Sequence, residues 1–125
     1  VIASGATIQA TAVRDTAANA DGRFGDGIAV TSLPSFPASA HVAANRIERS
    51  ARAGLSLFGA HVTLGSSAFE CNAIDLDGET DYLDVSIPYS VEDLSGNACG
   101  CEAEQRECGI VSSGLEPPPP IEASP

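Results

Sequence analysis

The sequence predicts an all-β fold in which the chain winds as a solenoid of about three coils. Three observations carry this prediction. A shift of 22 residues superposes the segment around Val42 on the segment around Leu64. Apolar residues then fall on apolar residues, and the runs alternate apolar and polar side chains. The breaks between runs are Gly, Asn and Ser, and a short period with such corners is typical of β-solenoids.

Two successive copies of the repeating unit lie between residues 40 and 76. The same shift places Asn45 on Ser67, Ile47 on Phe69 and Ser50 on Asn72. A second short apolar run follows each corner, at residues 54–57 and 73–76. Because alternation with period two buries one face of a strand, each run predicts a half-buried strand.

A looser copy of the unit occupies the first 30 residues, at a shift of 34. Two turn-rich insertions, at residues 17–26 and 33–37, account for the longer spacing and predict corner loops. A helix over residues 43–57 is the competing interpretation, but Gly54, the β-branched neighbours and the repeat oppose it. The predicted internal columns are Ile8, Val42 and Leu64; Val13, Ile47 and Phe69; and Ile28, Leu55 and Ile74.

Two motifs connect these repeats to a known family. They are N-x-I-x-x-S-(x)3-G-L-x-L at residues 45–57 and S-x-F-x-x-N-A-I-D-L at residues 67–76. The pattern, over about residues 6–77, resembles the coils of right-handed parallel β-helix proteins of the pectate-lyase-like type. The resemblance implies that fold, and it implies a family that contains polysaccharide lyases and hydrolases, adhesins and exported bacterial proteins. A fold of this kind does not by itself select a function.

The repeat weakens after Asp77. The alternating run from Asp81 to Ile87 predicts a last strand, which Pro88 ends. We therefore expect coils over residues 1–95, a Cys-rich cap over 96–114 that covers the end of the solenoid, and a disordered Pro-rich tail or linker over 115–125. Five of the eight prolines lie in the last nine residues, a composition that cannot bury a core.

The four cysteines predict disulfides. Neighbours in a C-x-C rarely bridge each other, so Cys99 and Cys101 are expected to reach Cys71 and Cys108, in an order that the sequence leaves open. A zinc site of four thiolates is the alternative, but the spacing lacks the paired C-x2-C knuckles. Disulfides indicate an oxidising compartment.

An acidic cluster between residues 75 and 81 is the candidate metal site. Oxygen-rich clusters around a Gly turn suit calcium, although the EF-hand spacing is absent and alternating acids on a strand also simply face water. Apart from this possible calcium, the sequence predicts no cofactor. The candidate calcium ligands are Asp75, Asp77, Glu79 and Asp81.

Composition excludes several function classes. The chain has 17 acidic residues, six arginines and no lysine, with a net charge of −11, which repels nucleic acid and anionic membranes. No apolar run reaches the ~18 residues of a membrane span, so no membrane insertion is expected. The sequence also contains no catalytic constellation: Arg46, Arg49 and Arg52 are expected to face water, and His41 and His61 are explained by repeat duplication.

These observations predict a non-catalytic scaffold or adhesion module of an exported or cell-surface protein, with a polysaccharide or cell-surface partner. The alternative is the terminal part of a polysaccharide lyase or hydrolase whose catalytic coils lie outside this chain. The sequence opens at Val1 without an initiator Met or signal peptide, so we expect a processed or excised piece. The open N-terminal end of the solenoid is expected to pack on upstream coils or to self-associate.

Overall fold

The computed structural model describes residues 1–82, 85–102 and 104–118, without the side chains of residues 81, 82 and 85. Every regular element in the described part is a strand, so the helix considered over residues 43–57 does not form. No described helix is long and apolar enough to cross a membrane. Most of the predicted disordered tail, residues 119–125, lies outside the described residues.

The described part of the chain forms fifteen strands. They are β1 (Gly5–Gln9), β2 (Ala12–Arg14), β3 (Ile28–Thr31), β4 (Ser39–Ala43), β5 (Arg46–Glu48), β6 (Ala53–Phe58), β7 (His61–Gly65), β8 (Ala68–Glu70), β9 (Ile74–Glu79), β10 (Asp81–Tyr82), β11 (Val85–Ser86), β12 (Ser90–Asp93), β13 (Ala98–Cys101), β14 (Glu104–Arg106) and β15 (Ile110–Val111).

The strands form three main sheets, which we call sheets I, II and III. Sheet I has the order β1-β4-β7-β12, sheet II the order β2-β5-β8-β13-β14, and sheet III the order β3-β6-β9-β15. All neighbours in these sheets pair in parallel except β13 and β14, which are antiparallel. Each sheet therefore holds four parallel strands, one more than the three coils expected, because β12, β13 and β15 add a further layer.

Register confirms two of the three predicted columns. Ile8, Val42 and Leu64 are successive partners in sheet I, and Val13, Ile47 and Phe69 are successive partners in sheet II. The third column was predicted with the wrong last member: Leu55 pairs with Leu76, whereas Ile74 pairs with Ala53. Ile74 and Leu76 lie on the same face of β9, so the alternation could not tell them apart.

Aliphatic and aromatic side chains from all three sheets form one core cluster. Ile47, Leu55, Leu57 and Phe69 are fully buried there. Burying side chains of this size contributes about 1.5–3 kcal/mol each. The core therefore follows directly from the columns, since each column contributes one apolar side chain per layer.

Left-handed backbone turns the corners between the sheets. Four non-glycine residues with φ between 49° and 73° follow the strands of sheet I: Ala10, Ala44, Ser66 and Ser95. Four more, with φ between 49° and 56°, follow the strands of sheet II: Asp15, Arg49, Cys71 and Glu102. L-residues adopt this conformation only at a steric cost, so the two rows show that every layer turns in the same way.

Buried asparagines stabilise these corners by bonding to the neighbouring layer. Asn72 donates to the carbonyl of Ile47 at 3.1 Å and accepts from the amide of Ser50 at 2.9 Å. Asn45 makes the same two bonds to the layer before it, with Ile8 and Thr11. Because buried backbone groups need partners, these amides make the turns compatible with burial.

The segment that follows β9 departs from the sequence prediction. Instead of one strand from Asp81 to Ile87, β10 and β11 form a short antiparallel pair outside the three sheets. Leu83 and Asp84 lie outside the described residues. The chain then returns to sheet I at β12, after Tyr89 has packed on Gly78 so closely that a Cβ there would lie 2.6 Å from the ring.

Both predicted insertions are confirmed as loops, since residues 17–26 and 33–37 contain no strand. The N-terminal edge is partly covered: Ile2 bridges Thr31 in parallel, next to β3. Ile8 and Val13 remain only partly buried at that end. On sheet III every residue of β6 is buried, on the outer face as well as the inner one, because the first loop and the C-terminal segment pack over it.

Candidate functional site

A polar cluster lies on the covered outer face of sheet III. Ser56 on β6 and Asp77 on β9 are register partners, so their side chains lie side by side. The first loop brings Asp26 to them, and Arg52 reaches the same place from the residue before β6. The cluster therefore combines two strands with a segment that is not part of the repeat.

Asp26 and Arg52 form the centre of this cluster. Arg52 donates to Asp26 from Nε at 2.8 Å and from Nη2 at 2.6 Å. The hydroxyl of Ser56 and the amide of Ala53 also donate to the same carboxylate, at 2.8 and 3.0 Å. The hydrogen bond to Asp26 is the main reason that the pKa of Arg52 is raised. Four donors on one buried carboxylate give a well-satisfied ion pair.

Arg52 was expected to face water, and that expectation is wrong. Its side chain is 14% exposed and that of Asp26 is 2% exposed. The guanidinium lies 5.2 Å from the centre of the Phe24 ring and 5.9 Å from that of Phe58. Aromatic faces on both rings favour the cation electrostatically and shield it from solvent. The loop between β2 and β3 is what buries this arginine.

Asp77 and Glu79, two residues apart on β9, form a second part of the cluster. Asp77 is fully buried, and neither carboxyl oxygen has a donor among the described residues. Burial, with the carboxylate of Glu79, raises the pKa of Asp77 to about 7. Burial would also raise the pKa of Glu79, but the neighbouring Asp77 carboxyl, the Ser112 hydroxyl and two backbone amides outweigh it, and the pKa of Glu79 is lowered. One proton on Asp77, facing an ionised Glu79, is the arrangement that these opposite shifts describe.

The C-terminal segment Ser112, Ser113, Gly114, Leu115 and Glu116, which we call the strap, closes over the cluster. Glu79 accepts from the Ser112 hydroxyl at 2.6 Å and from the amides of Ser113 and Leu115 at 2.9 and 3.2 Å. Arg52 donates to the carbonyl of Glu116 at 2.9 Å. Arg23, from the first loop, forms an ion pair with the Glu116 carboxylate. The strap is thus held by polar contacts along its whole length.

The predicted calcium ligands are only partly together. Asp77 and Glu79 both lie on β9 beneath the strap, to which Glu79 bonds, whereas Asp75 lies 3.8 Å from Arg106. Burial raises the pKa of Asp75. The side chain of Asp81 lies outside the description. Within the described ranges no three His, Cys, Asp or Glu side chains are placed to share a metal ion.

The cysteines form two disulfides, Cys71–Cys101 and Cys99–Cys108. This is one of the two pairings that the sequence left open, and no described cysteine is free. The first bridge joins the corner after β8 to the end of β13, in the next layer. The second ties Cys99, whose side chain is in the core, to the segment before β15. Together they fix the fourth layer and the start of the strap.

The other arginines and the histidines lie on other faces. Arg46 bonds to Glu48 and Glu70 on the outer face of sheet II, and Arg49 bonds to Asp15 and Glu48 beside it. His41 shares a 2.6 Å hydrogen bond with Thr63, and His61 shares one of 2.6 Å with Ser90, across adjacent strands of sheet I. The histidines therefore belong to a row of small polar side chains.

That row makes the outer face of sheet I a second candidate surface. Thr7, His41, Thr63 and Glu92 are successive register partners across its four strands. Ser39, His61 and Ser90 form a parallel row. Parallel neighbours are about 4.8 Å apart, so this face presents hydroxyl and imidazole groups at a regular spacing.

Sequence reasoning missed Asp26, Arg23 and the strap. Asp26 and Arg23 were assigned to a plain corner loop, and the strap was divided between cap and tail. A single Glu116 before the prolines was the only local signal. No family model matches this chain, and neither the curated proteins nor the solved structures contain a match.

Proposed function

We propose that the chain is a non-catalytic scaffold or adhesion module, built as a right-handed parallel β-helix of the pectate-lyase-like type. The observation that carries the proposal is the regular polar face of sheet I. It is formed by side chains at equivalent positions of successive layers, and it is the face on which a repeating ligand can meet repeating groups. The Asp77–Glu79 carboxyl pair, in contrast, lies beneath the strap, which would have to lift before a substrate could reach it.

The fold part of this proposal predicts that the chain tolerates a whole extra coil. Duplicating residues 45–66 in place adds one complete 22-residue period, so every column gains one member. We expect a folded protein with an equal or higher unfolding midpoint and unchanged disulfides. A control that duplicates only residues 45–55 shifts the phase by half a coil and should not fold. If both variants behave alike, the solenoid proposal is refuted.

The adhesion part predicts binding of a polysaccharide or cell-surface glycan through sheet I. The test is retention of the chain on immobilised glycans. Replacing His41 and His61 with Ala should reduce retention. A matched control replaces Glu104 and Arg106 with Ala on β14, which also leaves the net charge unchanged. Equal loss in both variants, or no retention of the original chain, would reject this face as the adhesive one.

An enzyme is the second candidate, and the Asp77–Glu79 pair is the observation that favours it. Carboxyl groups with oppositely shifted pKa values can divide acid and base roles in glycoside cleavage. The sequence alone suggests the terminal part of a polysaccharide lyase or hydrolase whose catalytic coils lie outside this chain; in the present form of this alternative the chain itself supplies the carboxyl pair. Incubation with pectin or alginate, with and without calcium, tests it through unsaturated products and new reducing ends. Sustained product formation, lost in Asp77→Asn, would replace the scaffold proposal.

The proposal also covers the cellular location of the chain and the partner that packs at its N-terminal end. The two disulfides favour an oxidising compartment and hence an extracellular or cell-surface location. The edge strands β1 and β2 expose unpaired backbone groups beside the partly buried Ile8 and Val13, so upstream coils or a second copy can pack there. Sedimentation at increasing concentration tests the second possibility, and a strictly constant monomer mass would exclude it.

A further inference from the structure

The strap is separable from the body of the fold. Ser112, Ser113, Gly114 and Glu116 are exposed, and Leu115 is only partly buried. The preceding strand β15 pairs with β9 through two residues, and Cys108 anchors the chain just before it. Few buried apolar contacts and a covalent anchor on one side are the features of a segment that opens locally while the rest stays folded.

The surface under the strap recognises main-chain groups. Two backbone amides of the strap donate to Glu79, and one backbone carbonyl accepts from Arg52. A peptide that turns at a Gly, as the strap does at Gly114 with a φ of 69°, supplies these groups at this spacing, whereas a glycan has no amide row of this kind. Since both strap amides donate to the same oxygen of Glu79, Oε2, the bound segment is recognised as a polypeptide turn around the carboxylate.

Side-chain contacts add a preference for acidity. Arg23 pairs with the carboxylate of Glu116, and its guanidinium lies 5.0 Å from the centre of the Phe24 ring. Phe24 thus has Arg23 and Arg52 close to its ring, and a cleft of about 280 Å³ lies between them and the strap. Because Arg52 is already paired with Asp26, Arg23 is the cation that gives this cleft its complementarity to an acid, in a chain with a net charge of −11.

We propose that this cleft is a binding site for an acidic peptide segment of another protein that turns at a Gly, and that the strap is its intramolecular occupant. Opening the strap exposes Glu79, Arg52 and Arg23 to a partner segment of the same chemistry. The partner presents a Ser hydroxyl, two amides and a carboxylate in the order Ser-Ser-Gly-Leu-Glu. The strap and the partner compete, so the affinity for the partner depends on how firmly the strap is docked.

The experiment measures binding of a fluorescein-labelled acetyl-Ser-Ser-Gly-Leu-Glu-Pro-amide to the full chain by anisotropy. In the variant Ser113→Pro/Leu115→Pro the strap loses both amides that Glu79 accepts, so the cleft opens without any change in the core. Hydrogen bonds to a charged group contribute about 1.5–3 kcal/mol each. We expect the open variant to bind the peptide at least about tenfold more tightly than the original chain.

Further variants in the open background locate the binding. Glu79→Ala should abolish it, Arg23→Gln should weaken it several-fold, and Arg46→Gln on sheet II should leave it unchanged. A peptide with proline at the same two positions should not bind. Equal affinity of the open and original chains, or binding that survives Glu79→Ala, overturns the proposal.

Two other occupants are distinguished by the same design. If a galacturonate oligomer binds the open variant as tightly as the peptide does, the cleft recognises a carboxylate without main-chain groups, and the peptide proposal fails. If the original chain forms a dimer that the two prolines abolish, the occupant is the strap of a second copy, and the proposal of a different partner fails. The melting temperature and intact disulfides of each variant show that its fold is retained.

Discussion

Replacing Asp77 with Asn should change the dependence of stability on pH. Asp77 is fully buried without a donor, and its pKa rises from 3.8 to about 7 in the folded chain. The folded state therefore holds this proton more tightly than the unfolded state does. The stability contributed by protonated Asp77 is fully present below about pH 4 and is lost as the pH rises to about 7.

A shift of this size corresponds to at most about 4 kcal/mol. We expect about 2 kcal/mol, because lifting the strap hydrates Asp77 and relieves part of the penalty. Glu79 acts in the opposite sense: its lowered pKa gives stability that is present above its ordinary value of 4.5 and lost as the pH falls. The combined contribution of these two groups to stability is therefore largest in mildly acidic solution.

The side-chain amide that Asp77→Asn introduces can donate to Glu79 at every pH, so the variant should lose much less stability between pH 5 and 8. Urea unfolding, followed by tyrosine fluorescence with the disulfides intact, measures the free energy at each pH. Asp21→Asn, which removes the same charge from an exposed loop position, is the control. Parallel curves for Asp77→Asn and the original chain would refute the argument, because burial of Asp77 would then carry no proton linkage.

Three further changes have expected outcomes. Asn72→Ala leaves a buried carbonyl and a buried amide of the neighbouring layer without partners, so it should destabilise by about 2–4 kcal/mol in urea unfolding; a loss below about 0.5 kcal/mol would contradict the role of the corner amides. Ala44→Gly removes an alanine with left-handed backbone at an exposed corner and should stabilise the chain by about 1 kcal/mol, whereas Ala43→Gly in β4 should destabilise it. If both variants change the free energy of unfolding in the same direction, the backbone at Ala44 is not strained. Replacing Cys71 and Cys101 with Ser opens a 30-residue loop and should lower the free energy of unfolding by about 4 kcal/mol. This loss is about 1 kcal/mol more than that expected from opening the 9-residue loop of the second disulfide. A larger loss from the second disulfide than from the first would contradict the dependence on loop length.

The parallel sheets could be predicted from the sequence because the repeat carries its own register. Ile47 and Phe69 are equivalent in the 22-residue alignment, and they are partners in sheet II. Where two residues satisfied the same alternation, as Ile74 and Leu76 do, the pattern could not choose between them. The prediction of one strand after Glu79 was wrong for a related reason, since the strands of a local antiparallel pair alternate apolar and polar residues just as the strands of a repeating sheet do.

The candidate site could not be predicted because its members do not share the period. Arg52 contacts Asp26 at a separation of 26 residues and Glu116 at a separation of 64. Neither distance follows from the repeat, and the first loop and the strap each lie outside it. The sequence pattern around Asp77 is the same whether its carboxylate faces water or is covered. Only the packing of a non-repeating segment over it shows that it is buried.

The antiparallel pairing of β14 makes the two ends of the molecule unlike. Its residues Glu104, Gln105 and Arg106 are all exposed, so charged and polar side chains line the last edge of sheet II. A copy approaching that edge with the parallel strand β2 meets a strand of the wrong direction and a charged border. Head-to-tail addition, the route by which molecules with parallel edges grow into open filaments, is therefore opposed along the sheet II edge of one terminus.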